Sequence, residues 1–436
     1  MTFRAWSGLS ASIVLCILFS QPALAQADRL AAGSTATSAA LPAKAQDAFD
    51  AAYELARKGK PEKALELYEE AAKLAPNSAD VWQEYAVCLR QTYHLQRAAQ
   101  ACWRAMEVGG QTAGLWNNMG NIFLSAEAWK AASLAYDKAD TLSSNKRLAS
   151  DNFLKLGYRQ WQAGDNDGAT KSFAHAIELD PKNGMAVLDM ASVKASQGNT
   201  QDALKQINEA KPFLEAEENQ RGLKYAQYLE GAVRKTTRLP SPIEFAEFQH
   251  LPDRFLTQPP KGQSLSLQID PTVRKSFRLT SGIVMSINVD DSWTVSLDTK
   301  TMPALPTIGF APATGDDFRL LWTPLSAAKR SVDIKGLLED NSREMLSQSV
   351  EKELVIKELK SPSMHGYYFL ATDKSLVDKT PGEGQYPYVI ISTLNAGNVD
   401  CTLTVLSRKK DEQFVKEMTE AISSISCDKP AADTAK

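Results

Sequence analysis

Ala64, Ala98, Ala132, Ala169 and Ala203 stand 34, 34, 37 and 34 residues apart, and Ala71, Ala105, Ala139, Ala176 and Ala210 repeat those intervals. A third small-residue series, Ala52, Ala86, Gly120, Gly157 and Ala191, keeps the same register. Between the two alanines of each copy lies a larger apolar residue: Tyr68, Cys102, Tyr136, Phe173 and Ile207. Small residues at fixed points let two helices approach closely, and the larger one fills the groove beside them. A single helix pair of this length cannot bury its own apolar face, so the copies must stack into a solenoid.

Punctuation agrees with the period. Gly59 to Pro61, Gly164 to Gly168, and Gly198 with Asn199 fall where the two helices of a unit meet, the place for turn residues and an N-cap, and Pro61 suits a first helical turn. Pro76 and Pro181 close second helices, whereas Gly110 and Ser144 take that place in the second and third copies. With Trp82 and Trp116 in the aromatic slot of the first helix and Gly120 and Gly157 in the glycine slot, residues 45–213 resemble the tetratricopeptide family in five copies. The 37-residue step predicts a longer loop near Thr141 to Ser150. Leu223, Tyr225, Tyr228, Leu229 and Val233 predict a capping helix over 214–236.

The first 25 residues carry Arg4, an apolar run from Leu9 to Phe19, and a small-x-small pattern at Ala23, Leu24 and Ala25. This is the form of a signal peptide cleaved after Ala25, and it predicts an exported, periplasmic chain. Cys16 does not make a lipidation site, because Leu15 occupies the place such motifs reserve for a small residue. Residues 26–44, rich in Ala, Ser and Thr, read as a flexible lead-in. Lys plus Arg total 49 against 52 for Asp plus Glu, a balance without the basic excess that a phosphate backbone selects.

After five prolines between Leu239 and Gly262, read as a linker over 237–263, the apolar period changes to two. Ile283, Met285, Ile287 and Val289 form one alternating run; Trp293, Val295 and Leu297 form another. Further strands are predicted at Ile308 and Phe310, Phe318 to Trp322, Leu354 to Leu359, Tyr367 to Ala371, Tyr386 to Thr393 and Asp400 to Leu406. Helices are predicted over Asp333 to Val350 and through Phe414, Met418, Ile422 and Ile425, with a disordered tail over 429–436. Strands, helix, strands, helix make an α+β sandwich with a mainly antiparallel sheet over 264–428. The order resembles the PsbP, Mog1 and DcrB group of small α/β domains, although the turn at Asp290, Asp291, Ser292 and Trp293 lacks that group's proline.

No residue pattern points to catalysis, a metal or a cofactor. His94, His175, His250 and His365 are scattered without ligand spacing, and no GxSxG, HExxH or phosphate-cradling glycine loop occurs. Asp290 with Asp291 and Asp316 with Asp317 fit either turn-stabilising residues or calcium ligands. The better candidates lie on the first helix of each copy, on the face left over by the packing slots. These are Phe49 and Tyr53 in the first copy, Gln83 and Val87 in the second, and Asn117 and Asn121 in the third. Leu154, Tyr158 and Trp161 follow in the fourth, and Leu188 and Ser192 in the fifth. In tetratricopeptide proteins that face grips protein or peptide partners; the basic residues that related clamps use for a terminal carboxylate are mostly absent here, with Lys155 the only nearby match. A mixed apolar and amide groove fits an extended or helical segment.

The reading is therefore a non-enzymatic scaffold with a C-terminal docking module. The alternative makes that module a small-ligand or metal carrier recruited by the repeats. Of the cysteines left after export, Cys401 and Cys427 are expected to form a disulfide, and Cys88 with Cys102 is a weaker candidate pair.

Overall fold

The computed structural model describes residues 40–239, 243–256, 271–298, 306–327 and 333–428, apart from 354, 378 and 398 and the side chains of 326, 327, 341 and 344. The expected signal peptide, most of the lead-in and the C-terminal tail lie outside the described residues. The described residues form two compact units, one built mainly from 40–153 with 251–256, the other mainly from 154–250 and 271–428.

The repeats fold as paired helices: α1 (Ala43–Arg57) with α2 (Pro61–Leu74), α3 (Ala79–Gln91) with α4 (Leu95–Gly109), and α5 (Ala113–Ser125) with α6 (Trp129–Thr141). They continue with α7 (Lys146–Gln162), α8 (Asn166–Leu179), α9 (Gly184–Ser196), α10 (Thr200–Ala216) and the closing α11 (Gln220–Lys235). The alanines that define the period are excluded from solvent: Ala64, Ala98, Ala132, Ala169 and Ala203 are each 0 % exposed. Their neighbours Tyr68, Cys102, Tyr136, Phe173 and Ile207 are buried with them. A Cβ added at Gly120 would come within 2.4 Å of the Tyr136 ring, and one at Gly157 within 2.7 Å of the Phe173 ring. Glycine is therefore required at these two positions, whereas the first copy packs Tyr68 beside Ala52 in the same slot.

The period also governs the backbone. Gly59, Tyr93, Glu127, Gly164 and Gly198, one per copy and in register, all take positive φ in the turn between paired helices. Side-chain caps, by contrast, favour the first helices: Ser78, Thr112, Asn145 and Asn183 each accept the N–H three residues on. Of the residues that precede second helices, Lys60, His94, Ala128 and Asn199 make no such bond, and Asp165 alone accepts the N–H of Gly168.

The 37-residue step is not a longer loop. Four residues separate α6 from α7, the same number as between α2 and α3, and the surplus lengthens α7 to 17 residues where α5 has 13. Three to four residues are one helical turn, so the addition preserves which face meets the neighbours. Lys146 pairs with Asp140 at 2.7 Å across the junction.

The expected linker contains structure. Leu239 N–H donates to the Ala195 carbonyl, Arg238 Nε to that of Ser196 and Glu244 N–H to that of Gln162, so the segment is tied to the ends of α9 and α7. It continues into strand β1 (Ala246–Gln249). A short helix, α12 (Asp253–Leu256), then lies on α4, where Trp103 Nε1 donates to the Phe255 carbonyl at 3.3 Å.

The sheet domain contains two antiparallel sheets. In the first, β1 pairs with β2 (Thr272–Arg278), β2 with β3 (Val284–Asp290), and β3 with β11 (Ser426–Asp428). The second runs β4 (Thr294–Asp298), β5 (Thr307–Ala311), β6 (Phe318–Ala327), β10 (Val399–Ser407), β9 (Tyr388–Ala396), β8 (Met364–Thr372) and β7 (Lys357–Ser361). One core joins them, with Phe277, Met285 and Ile287 from the first sheet, Phe310, Trp322, Leu403 and Val405 from the second, and Phe414, Met418 and Ile422 from α14 (Glu412–Ser423). The opposite face of the larger sheet is covered by α13 (Ile334–Gln348), whose Leu338 packs with Phe369 and Ala371.

Strand β2 escaped the sequence reading because four of its seven residues are Arg, Lys or Thr, which mask the alternation. Lys275 and Arg278 are nonetheless buried, and Lys275 Nζ donates to the Trp293 carbonyl at 2.9 Å. Strand β7 begins at Lys357, later than expected, and Leu354 lies outside the described residues.

The cysteine expectations need correction. Cys401 and Cys427 are free thiols, not a disulfide. They are nevertheless in hydrogen-bond contact, brought together by β11 pairing with β3 and not by the end of the closing helix. Cys88 and Cys102 are also free: each thiol is committed to a different carbonyl, Pro61 for one and Leu115 for the other, both at 3.3 Å.

Candidate functional site

Three of the residues expected on the groove face, Tyr53, Gln83 and Val87, line one depression of about 60 Å³. Helix α1 supplies Tyr53, Ala56 and Arg57; α3 supplies Gln83, Glu84, Val87, Cys88 and Gln91; Tyr68 forms the base, and Asn118 of α5 closes the far side. Gln83, Val87 and Gln91 follow each other at intervals of four, so one stripe of α3 forms the wall. Its rim is amide and charged while its base is aromatic and aliphatic, a surface able to hold an apolar side chain and bond the backbone that carries it. Gln91 and Glu84 were missed in the sequence. The step of four from Val87 was the available signal for Gln91.

The other expected positions are placed differently. Phe49 is 9 % exposed and meets Tyr68 edge to face at 5.9 Å, so it supports the depression from beneath. Asn117 is buried and its Oδ1 accepts from Asn152 Nδ2 at 2.5 Å; Asn121 Oδ1 accepts from the Tyr136 hydroxyl at 2.9 Å. These carbonyl oxygens bind neighbouring helices, which leaves Asn118, one residue on, at the surface of the depression. Leu188 is 0 % exposed and belongs to the core that includes Leu214 and Leu229, so it is a packing residue and not part of a binding wall.

Around Asp189 the remaining candidates converge. Ser192 Oγ lies 2.9 Å from the hydroxyl of Tyr225, a residue of the capping helix. The Tyr158 and Trp161 rings of α7 stand 6.3 Å apart at 66°, and Leu154 and Trp161 are largely buried. Burial and the negative field of Asp189 push the Tyr225 phenol up; burial, Glu244 and Asp189 do the same to Tyr158. Burial pushes Asp189 itself up to about 7. Glu244 accepts from Gln162 Nε2 at 2.6 Å beside this group. Asp189 was missed because an acidic residue on a helix reads as a solvated one.

In the sheet domain Asp290 bonds within its own turn, whereas Asp316 and Asp317 tie theirs to distant segments. Asp290 Oδ1 accepts from the N–H and hydroxyl of Ser292; Asp316 accepts from the Gly384 N–H at 3.1 Å, from Tyr386 and from Arg408; Asp317 pairs with Lys409 at 2.7 Å. His250 bonds Ser276 and His365 bonds Glu358, both at 2.9 Å. Among the described residues no group of three or more His, Cys, Asp or Glu is placed to hold a metal ion. Also among them, no helix is long and apolar enough to cross a membrane.

Hairpins of this length, spacing and packing define a tetratricopeptide array, and residues 46–88 and 154–217 match family models described as tetratricopeptide repeat. The chain thus carries tetratricopeptide repeats, modules through which proteins bind protein or peptide partners. Among solved structures it is similar to MamA 41-end from Desulfovibrio magneticus RS-1, with 16 % identity, 41 % of this chain and 98 % of that one covered, and a TM-score of 0.34. It is also similar to YrrB, at 20 % identity, 43 % and 92 % coverage and a TM-score of 0.32. Pseudomonas aeruginosa pilF is another, at 17 % identity, 44 % and 93 % coverage and a TM-score of 0.32. No curated protein matches the chain significantly.

Proposed function

We propose that this protein is an exported, non-enzymatic scaffold whose repeats grip an extended or helical segment of a protein partner, and whose sheet domain, of the PsbP, Mog1 and DcrB kind, docks the complex. The observation that carries it is the depression walled by Gln83, Val87 and Gln91 over Tyr68, half-buried side chains on a face that the neighbouring helices leave uncovered. Export and a periplasmic location rest on Arg4, the run from Leu9 to Phe19 and the Ala23 to Ala25 pattern. Balanced charge supports a protein over a nucleic acid as partner.

The test is a photoreactive amino acid placed at Val87 in the full chain, expressed in cells with an envelope fraction. A discrete crosslinked partner from Val87, absent when the probe sits at the exposed Lys63 of α2, supports the reading. Equal or no capture from both sites would falsify it.

A further inference from the structure

The side chains that α7, α9 and α11 bring together around Asp189 differ in chemistry from those of the amide-walled depression. Asp189 is only 5 % exposed, and among the described residues its carboxylate accepts no hydrogen bond. One turn along α9, Ser192 Oγ meets the Tyr225 hydroxyl at 2.9 Å. Across from them Tyr158 and Trp161 present rings 6.3 Å apart, and the Trp161 indole N–H has no acceptor among the described residues. Tyr158 and Tyr225 are only half-buried, which leaves an edge of the group open. A buried carboxyl without a donor is a rare feature of a finished fold, and a ligand that supplies the donor completes it.

We propose that Asp189 anchors a subsite for a primary ammonium group, the side chain of a lysine in the bound peptide. This rests on the reading that the repeats take a peptide. An ammonium brings three donors, enough for the Asp189 carboxylate and the hydroxyl pair of Ser192 and Tyr225. Its charge is favoured beside the faces of Tyr158 and Trp161. The indole N–H of Trp161, buried and without an acceptor among the described residues, reports on any change in this group. Other charged or titratable groups whose fields reach these side chains are Arg159 on α7, Tyr228 on α11 and Glu244.

The experiment follows the Trp161 indole signal by nitrogen-15 NMR in the full chain, assigned by its loss in Trp161→Phe. The probes are N-acetyl-lysine-N-methylamide, its norleucine counterpart, and alaninamide, which offers only an α-amine. The lysine probe should shift the signal saturably, with norleucine and alaninamide at least tenfold weaker. Asp189→Asn should lose tenfold or more, and Tyr225→Phe, which keeps the ring, should lose less. Lysine affinity should also rise between pH 6 and pH 8 as the carboxyl gives up its proton. Equal response to lysine and norleucine, or an unchanged Asp189→Asn, overturns the subsite. Equal response to alaninamide overturns the assignment to a side chain. Partner capture from Val87 tests the peptide reading separately, so intact capture with no lysine preference rejects this subsite alone.

Discussion

Asp189 gives this protein a pH response that its overall charge does not. In the unfolded chain an aspartate titrates near 3.9, while burial holds Asp189 up to about 7 in the fold. Between those values the folded state carries a proton that the unfolded state has released. Stability from this group is therefore complete below the ordinary carboxylate range and is lost as pH rises through about 7. Three pH units correspond to roughly 4 kcal/mol as an upper figure. Asp189→Asn keeps the shape and removes the charge, so its urea midpoint should match the parent near pH 4 and exceed it at pH 8. A variant midpoint at pH 8 equal to or below that of the parent would refute the assignment. Such a cost would be a trade of stability for function if the proposed subsite holds.

At the scale of the helix, two glycines separate close approach from simple helix propensity. A methyl group at Gly120 meets the Tyr136 ring at 2.4 and 2.5 Å, and that ring is pinned by its bond to Asn121. Overpacking of this kind costs about 1 to 3 kcal/mol, more than the ~1 kcal/mol gained in propensity over glycine. Gly231, inside α11, has nothing within 4 Å of an added Cβ. Gly120→Ala should therefore lower the urea midpoint while Gly231→Ala raises it, by roughly 0.5 to 1 kcal/mol. A gain in both would show that Tyr136 is free to move. The turns follow the same logic. Three copies use glycine at positive φ, whereas Tyr93 and Glu127 hold it with side chains, at φ 60° and 55°. Tyr93→Gly should consequently stabilise its hairpin by about 1 kcal/mol in thermal melts.

For the whole molecule, the contact between Cys401 and Cys427 links the two sheets. Cys401 lies at the centre of the larger sheet, 1 % exposed, and Cys427 sits on the three-residue β11 of the smaller one. The hydrogen bond to Cys401 and burial push the Cys427 thiol up, so little thiolate exists to start oxidation and air alone should act slowly. With a disulfide catalyst the pair should close, remove two hydrogens by mass, and stabilise the sheet domain by roughly 3.5 kcal/mol in the chain-entropy model. Cys427→Ser should abolish both effects. Separate alkylation of the two peptides after catalysed oxidation would show that contact does not become a bond.

Much of the repeat region was legible because its information is local and periodic. A helix crossing needs a small residue at one spacing, and the alanine series from Ala64 to Ala203 states that spacing five times. The alternation through Ile283 to Val289 and the phase of Cys401 with Leu403 and Val405 exposed the sheet domain in the same way. The candidate site was only partly legible. Spacing of i to i+4 put Gln83 and Val87 on one face, and they line one depression with Tyr53, but spacing does not say which neighbour covers a face. Packing against neighbouring helices set Asn118 at the edge of the depression and committed Asn117 to Asn152. Burial likewise converted Asp189 from an ordinary acidic residue to a carboxyl held near neutrality, and it hid β2 behind charged residues whose partners come from distant strands. The sequence determined which residues repeat; the tertiary structure decided which of them remain open, because exposure is a property of what packs opposite and not of the chain that carries the side chain.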